Sequence, residues 1–263
     1  MTNRGTTLMN RAIVRRPGRS VISGLTTADL GQPDYNLALT QHQAYVRALK
    51  ACGLETMVLP PLESFPDSTF VEDVALVTEK GAIVTRPGTP SREGEINFIV
   101  PVLKRFYPTV HPITPPGTLD AGDVLNIDGH YFIGLSERTN KAGARQCTEI
   151  LKSFGYSVTT LPIRSGVHLK SAISYLGRGV LLTTEAYADE PVFEQYKKCV
   201  LPPEETYAAN TVQVNGTVLI PSGFPTAKSL VESAGFSTRS LYMTEYQKLD
   251  GGLSCLSLRF GSH

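Results

Sequence analysis

Hydrophobic and polar positions repeat along the chain in four segments of one form. Each segment is a β-rich run, a short turn that contains glycine and a second β-rich run, which is the pattern of a β-hairpin. The four segments are residues 74–87, 124–136, 172–184 and 211–222. A stretch of helical periodicity and a further short apolar run commonly follow each hairpin. The repeating unit is therefore strand, strand, helix and strand.

The helical stretches are recognised by apolar residues that recur three and four positions apart. Residues 140–154 predict a helix with an apolar face formed by Cys147, Ile150, Leu151 and Phe154. Residues 192–200 predict a second helix, from Val192, Phe193, Tyr196, Cys199 and Val200. Residues 226–234 predict a third helix, and a short strand-like run follows it.

The two ends of the chain complete the count of units. Residues 255–260 form a β-rich terminal run, and residues 11–15 form another near the start. If these runs pair, five units close into a ring. We predict one closed α/β domain of pseudo-fivefold symmetry over residues 1–260, a five-bladed propeller, with residues 261–263 as a tail. An open mixed sheet built from the same elements is the alternative.

Composition excludes several classes of protein. The net charge is +1 without basic blocks, which argues against a nucleic-acid or membrane-surface role and leaves small ligands open. Neither a secretory leader nor an apolar run long enough to span a bilayer is present, so we expect a cytoplasmic protein. The four cysteines are too far apart for zinc or redox pairs. Cys52, Cys147 and Cys199 follow apolar helical spacing and are expected to pack in the core.

Chemistry-bearing residues recur at almost the same place in each unit. Asp73, Asp120, His168, Asn210 and Cys255 are 47, 48, 42 and 45 residues apart, just before or at the first strand of a unit. Taken singly, each also has an ordinary structural role as a cap, turn or core residue. In a radial repeat they would converge at one mouth of a central channel. A Cys beside a His is the minimal set for nucleophilic catalysis, with carboxylates to orient the His or bind a cation.

A series of motifs gives the chain a resemblance to a known family. In chain order they are PDSTFVEDVALV, TRPGTPSR, TLDAGDVL, GLSERTNKAG, HLKSAISYL, YAAN and LDGGLSCLSLRF. Over about residues 12–260 the sequence resembles the dimethylarginine dimethylaminohydrolase family of the guanidine-modifying (pentein) superfamily, especially its short bacterial members. The resemblance implies a fivefold α/β propeller, hydrolysis of Nω-methylated arginines to citrulline, and no metal or organic cofactor.

The resemblance also implies the catalytic residues. Cys255 of GGLSC corresponds to the nucleophile, and His168 of HLK to the general acid and base. Asp120 of LDAGD corresponds to the carboxylate beside that histidine, a position where some family members carry Glu. A covalent thiouronium on Cys255 would be the intermediate.

Substrate-binding residues follow from the same motifs. At the guanidinium end, Asp67 and Asp73 of PDSTFVED are expected to hold the nitrogens, with Glu72 and Phe70 lining the same loop. At the amino-acid end, the expected contacts come from the carboxylate-binding residues Arg92 and Arg138, the lid residue Leu25 and the backbone of Leu249.

One consequence follows from the charges alone. Acidic groups beside Cys255 should raise the pKa of its thiol in the empty site, because a thiolate there would face like charge. A bound cation would neutralise that field, so the substrate itself would activate the nucleophile.

Other functions are compatible with the same residues. Within the superfamily they are arginine deiminase, agmatine deiminase, citrulline hydrolase and amidinotransferase. Two carboxylate-binding arginines argue against agmatine, which has no carboxylate. A non-catalytic binding propeller and a thiol protease are alternatives from other classes. The expected partner is a small methylated arginine; the sequence is compatible with a homodimer but does not set the oligomeric state.

Overall fold

Five small three-stranded sheets make up the protein in the computed structural model, which describes residues 8–261. The strands are β1 Arg11–Arg15, β2 Glu55–Leu59, β3 Ala75–Val77, β4 Ala82–Val84, β5 Val110–Pro112, β6 Val124–Ile127, β7 His130–Leu135, β8 Ser157–Pro162, β9 Ile173–Gly177, β10 Val180–Thr184, β11 Lys197–Leu201, β12 Val212–Val214, β13 Thr217–Pro221, β14 Ser237–Leu241 and β15 Leu258–Phe260. The α-helices are α1 Tyr35–Ala51, α2 Ile96–Leu103, α3 Lys141–Ser153, α4 Pro225–Ser233 and α5 Thr244–Gln247.

All five sheets share one topology. The middle strand pairs antiparallel with one neighbour and parallel with the other, as in β6–β7–β8 and β12–β13–β14. Four of the antiparallel pairs, β3–β4, β6–β7, β9–β10 and β12–β13, are the predicted hairpins, which are confirmed. At the turn between β12 and β13, Asn215 and Gly216 have φ of 47° and 90°, the left-handed pair that a two-residue hairpin turn requires.

The remaining sheet joins the two ends of the chain. β1 lies between β15, to which it is antiparallel, and β2, to which it is parallel. The fifth unit is therefore assembled from both ends, and the α/β propeller of five units is confirmed. Assignment of residues 1–260 to one domain stays a prediction. Of the tail at 261–263, Gly261 is described, and the other two residues lie outside the described part of the chain.

Helices pack against the sheets and enclose the core. Asp34 and Asn140 cap α1 and α3 by accepting hydrogen bonds from the first-turn N–H groups of Leu37 and Gly143, both at 2.8 Å. On the predicted apolar face of α3, Cys147 and Leu151 have no exposed surface, and Ile150 and Phe154 are partly buried against the same core. The helix predicted at 226–234 is confirmed as α4.

The helix predicted for residues 192–200 is wrong. Pro191–Phe193 form only a 3-10 turn, and the chain then enters β11, which pairs parallel with β10. Along β11 Cys199 and Leu201 are buried while Val200 is exposed, so the period is that of a strand. Apolar positions from the turn and the strand together imitated helical spacing. The core assignment of Cys199 nevertheless holds, because its side chain is buried.

Two cysteines, Cys255 and Cys52, differ from their predicted placement. Cys255 lies in a 3-10 turn, Ser254–Leu256, and the terminal strand begins only at Leu258. Cys52 ends α1 and is half-buried against the core beside that helix. Within residues 8–261, no helix is long and apolar enough to cross a membrane; a cytoplasmic location stays a prediction.

Candidate active site

The five residues that recur along the sequence lie together in the structure. Each stands within five residues before the first strand of its sheet, where the chain enters the centre of the ring. The entering turns are joined to one another: Glu72 N–H donates to the Cys255 carbonyl at 3.1 Å, and Ala121 N–H donates to the Asp73 carbonyl at 3.1 Å. The predicted convergence is therefore present.

Cys255 is buried and is 8% exposed. Its sulfur accepts the Gly252 N–H at 3.4 Å and faces the Asn210 side-chain amide at 3.7 Å. A Cβ at Gly252 would fall 2.3 Å from the Asn210 side chain, so glycine is needed for this close approach. Burial, followed by the charges of Asp73 and Glu72, raises the pKa of the Cys255 thiol to about 12. With that pKa the Cys255 side chain is a thiol at neutral pH.

His168 lies between two carboxylates. Its Nε2 is 3.1 Å from Asp120 Oδ2, and its Nδ1 is 3.9 Å from Asp73 Oδ1. Burial by itself lowers the pKa of His168, but the charge of Asp73, the hydrogen bond to Asp120 and the charge of Asp123 raise it to about 9. His168 is thus an imidazolium at neutral pH. The Asp120 side chain, although shorter than Glu, reaches the ring.

Asp73 offers an acceptor to a ligand. Its Oδ2 accepts from Arg92 Nη1 at 2.6 Å, while its Oδ1 is buried and has no hydrogen-bond partner among residues 8–261. A buried carboxylate oxygen is seldom left unpaired. Because this oxygen also faces the His168 ring, a cationic N–H donor bound here would lie beside the catalytic pair.

Asp67 is the second acid predicted to hold a guanidinium, and it is buried. Its Oδ1 accepts the Leu25 N–H at 2.9 Å. This hydrogen bond joins residues 25–27, the lid segment, to residues 67–73, the acidic loop. Burial raises the pKa of Asp67, and the charges of Arg92 and Arg138 oppose that rise. Leu25 is 41% exposed, and its role as a lid residue stays a prediction.

Arg92 is buried under the acidic loop. Its guanidinium donates to Asp73, to both carboxylate oxygens of Glu95 at 2.8 and 2.9 Å, and to the carbonyls of Asp67 and Phe70. These contacts hold the loop in place, and direct binding of a substrate carboxylate by Arg92 stays a prediction. Arg138 is half-buried after β7, and its charge acts on Asp67.

Glu72 faces the interior of the ring. Its carboxylate accepts from Ser254 Oγ at 2.7 Å, from Lys170 Nζ at 2.7 Å and from Arg259 Nη2 at 3.4 Å. Its described partners are protein groups, so direct substrate contact by Glu72 stays a prediction. This ion-pair cluster forms the floor of a cavity of about 740 Å³ that is lined by the first strands of the sheets.

Sequence reasoning missed three charged residues at the site. Lys170 and Arg259 form the floor with Glu72, and Asp123 is a fully buried carboxylate beside His168. Lys170 stands two residues after His168 in a quoted motif, and Asp123 closes the LDAGD motif, so both were visible as polar residues at apolar strand boundaries. Arg259 lies on the terminal strand, and its direction could not be read from the sequence.

This chain is similar to several known proteins. The family described as "N,N dimethylarginine dimethylhydrolase, eukaryotic" matches residues 31–185. N(G),N(G)-dimethylarginine dimethylaminohydrolase of Pseudomonas aeruginosa is 43% identical over 254 residues, covering 96% of this chain and 100% of that protein.

Two solved structures extend the likeness to the fold. The Pseudomonas aeruginosa protein, as a Cys-to-Ser mutant complexed with citrulline, superposes with a TM-score of 0.95 at 43% identity, covering 96% of this chain and 100% of that chain. A dimethylarginine dimethylaminohydrolase His-to-Gly adduct with S-methyl-L-thiocitrulline gives the same TM-score, identity and coverage. On this evidence the chain belongs to the dimethylarginine dimethylaminohydrolase family.

Proposed function

We propose that the protein hydrolyses Nω-methylated arginines, asymmetric dimethylarginine and monomethylarginine, to citrulline and dimethylamine or methylamine. The observation that carries the proposal is the arrangement at one mouth of the ring. A protonated Cys255 thiol, a His168 imidazolium and the unpaired carboxylate oxygen of Asp73 lie together there. A complex of a relative with citrulline supports the product.

Binding of the substrate begins with charge. A guanidinium ion is a planar cation rich in N–H donors, and the buried carboxylates of Asp67 and Asp73 suit it. Asp73 Oδ1 is free to accept a substrate N–H, which removes the penalty of an unpaired buried acceptor. At the amino-acid end Arg138, with Arg92 behind the loop, supplies positive charge for the carboxylate, and Leu25 covers the entrance.

Activation of the thiol follows from binding. His168 already carries its proton in the empty site, so it cannot accept the proton of Cys255. The cationic substrate offsets the charges of Asp73 and Glu72, which lowers the pKa of the thiol and releases its proton to solvent. The Cys255 thiolate then adds to the central carbon of the guanidinium.

Departure of the amine uses the proton of His168. The imidazolium donates it to the methylated nitrogen, the C–N bond breaks, and an amidinium thioether, the thiouronium, remains on Cys255. Asp120 holds the ring through Nε2 and stabilises its charged form. The ring is neutral after this step and is ready to act as a base.

Hydrolysis completes the cycle. Neutral His168 takes a proton from water, and the hydroxyl adds to the thiouronium carbon. Collapse of that adduct breaks the C–S bond, the Cys255 sulfur takes up the hydroxyl proton and returns to the thiol, and the ureido group of citrulline remains. All bond changes are provided by the side chains, the substrate and one water molecule.

The test is citrulline formation from asymmetric dimethylarginine, monomethylarginine and arginine in parallel, with the wild type and with Cys255→Ser. The proposal predicts citrulline from the methylated substrates only, and loss of activity in the variant. Turnover of arginine alone would identify a deiminase. No turnover of any of the three would contradict the proposal and favour citrulline hydrolysis or a binding propeller.

A further inference from the structure

A single carboxylate outside the catalytic set connects three of the predicted site residues. Asp123 closes the 3-10 turn Ala121–Asp123 that leads into β6, and its side chain has no exposed surface. Neither the mechanism above nor the family motifs give it a role. Its hydrogen bonds extend to the backbone beside His168, to the backbone of Asp120 and to the turn that carries Arg138.

The first connection is direct. Asp123 Oδ1 accepts the N–H of Leu169, the residue that follows His168, at 2.9 Å. The turn around Asp123 also packs closely on the ring, because a Cβ at Gly122 would lie 2.8 Å from His168 and 2.9 Å from Asp73 Oδ1. The position of His168 therefore depends on a residue of the neighbouring sheet.

The second connection passes through Thr139. Its hydroxyl donates to Asp123 Oδ2 at 2.6 Å and accepts the Asp120 N–H at 3.2 Å. Asp123 N–H in turn donates to the Asp120 carbonyl at 3.0 Å. The backbone of the carboxylate that holds the imidazolium is thus fixed from both sides.

The third connection passes through Ser136. Its hydroxyl donates to Asp123 Oδ2 at 2.6 Å and accepts the N–H groups of Arg138 and Thr139, both at 3.0 Å. The hydroxyls of Ser136 and Thr139 each accept a hydrogen bond from the backbone and donate their own proton to Asp123. All three neighbours donate, as an ionised carboxylate requires.

We propose that Asp123 is a positioning residue of the active site, which holds His168, Asp120 and the Arg138 turn in one fixed relation through Leu169 N–H, Thr139 and Ser136. The catalytic groups come from different sheets, and their mutual placement needs a bridge that no single strand provides. The kinetic part of this inference rests on the proposed function.

Asp123→Asn is the direct variant. An amide keeps the shape but has only one acceptor oxygen, so it cannot serve the Leu169 N–H and both hydroxyls together. Misplacement of catalytic groups by a fraction of an ångström to 1 Å typically costs about 10- to 100-fold in rate. We expect kcat/KM to fall by that factor. Asp128→Asn, the same substitution on the exposed turn between β6 and β7, is the matched control and should leave kcat/KM unchanged.

Two further variants separate positioning from a structural role. Thr139→Val removes the link to Asp120 without changing volume or charge, so it should lower kcat with little change in KM. Ser136→Ala removes the link to the Arg138 turn, so it should raise KM more than it lowers kcat. The proposal would be overturned if Thr139→Val and Ser136→Ala each changed kcat and KM by the same factor. It would also be overturned if the loss of activity only followed the folded fraction measured by thermal unfolding.

The imidazole titration of His168, followed by NMR, needs no substrate. The ring faces the carboxylates of Asp73, Asp120 and Asp123. Thr139→Val leaves all of these charges in place, so a lower His168 pKa in that variant reports a displaced Asp120. An unchanged titration overturns the positioning role, even if Asp123→Asn does not fold. If the wild type turns over no methylarginine, the proposed function fails, and this titration still decides the positioning role.

Discussion

A guanidinium ligand is expected to lower the pKa of the Cys255 thiol. In the empty site the pKa of this thiol is raised from 9.0 to about 12, first by burial and then by Asp73 and Glu72. Three pKa units correspond to about 4 kcal/mol against the thiolate. At neutral pH the thiolate population is therefore about a thousandfold lower than for an ordinary cysteine, and reaction with iodoacetamide should be slower by a similar factor.

Ligand binding should reverse the part of this effect that comes from charge. An opposite charge within contact distance typically moves a pKa by about 1–3 units. We expect an alkylguanidinium ion that the protein does not turn over to raise the thiolate population of Cys255 about 10- to 1000-fold at neutral pH, and to move its release of a proton to a lower pH.

Ultraviolet thiolate absorbance, titrated against pH with and without the ligand, measures this directly and is independent of access to alkylating reagents. The Cys255→Ser protein, titrated in the same way, subtracts Cys52, Cys147 and Cys199. Calorimetry in buffers of different ionisation enthalpy counts the released protons. The reasoning is refuted if the ligand leaves the thiol pKa unchanged, or if the empty site already holds a thiolate at neutral pH.

Three shorter predictions concern the neighbours of the nucleophile. The reaction needs a protonated His168, with a pKa of about 9, and a deprotonated Cys255, with a pKa of about 12, so kcat/KM should rise with pH up to about 9 and level off above it. A rise that continues unchanged through pH 9 would contradict the acid role of His168. Asp250 accepts hydrogen bonds from the Thr27 N–H at 2.5 Å and from the Thr27 hydroxyl at 2.9 Å. Asp250→Asn should therefore loosen the lid segment and raise KM several-fold, which corresponds to about 0.5–1.5 kcal/mol for one hydrogen bond. An unchanged KM would show that these hydrogen bonds have no role in binding. Gly252→Ala would place a Cβ 2.3 Å from the Asn210 side chain, so urea unfolding should show a loss of about 1–3 kcal/mol, and full stability would mean that the turn is not tightly packed.

The ring of five sheets could be predicted because one pattern of strands and helix is repeated along the sequence. Four hairpins with similar following elements, and two terminal runs that can pair with each other, indicate five units before any contact is known. The helix at 192–200 failed for a local reason. A buried turn at Phe193 and a strand that buries Cys199 add up to helical spacing, and the pairing of β11 with β10 decides between the two.

At the site, the sequence predicted which residues lie near one another, but not which side chains form hydrogen bonds and ion pairs. Equal spacing brought Asp73, Asp120 and His168 together correctly, because equal phase in a ring is equal distance from its axis. The ion pairs of Arg92 and the bonds of Asp123 join segments far apart in sequence, so side-chain direction decides them. No spacing rule carries that information.

The central claim is that Cys255 displaces the methylated nitrogen of its substrate. Intact mass measurement of protein quenched by acid during turnover tests it most directly. Asymmetric dimethylarginine and monomethylarginine should give an adduct of the same mass, located on Cys255 and absent from Cys255→Ser, because both lose their methylated nitrogen before the adduct is trapped. Adducts that differ by one methyl group, or an adduct on another residue, would contradict the account.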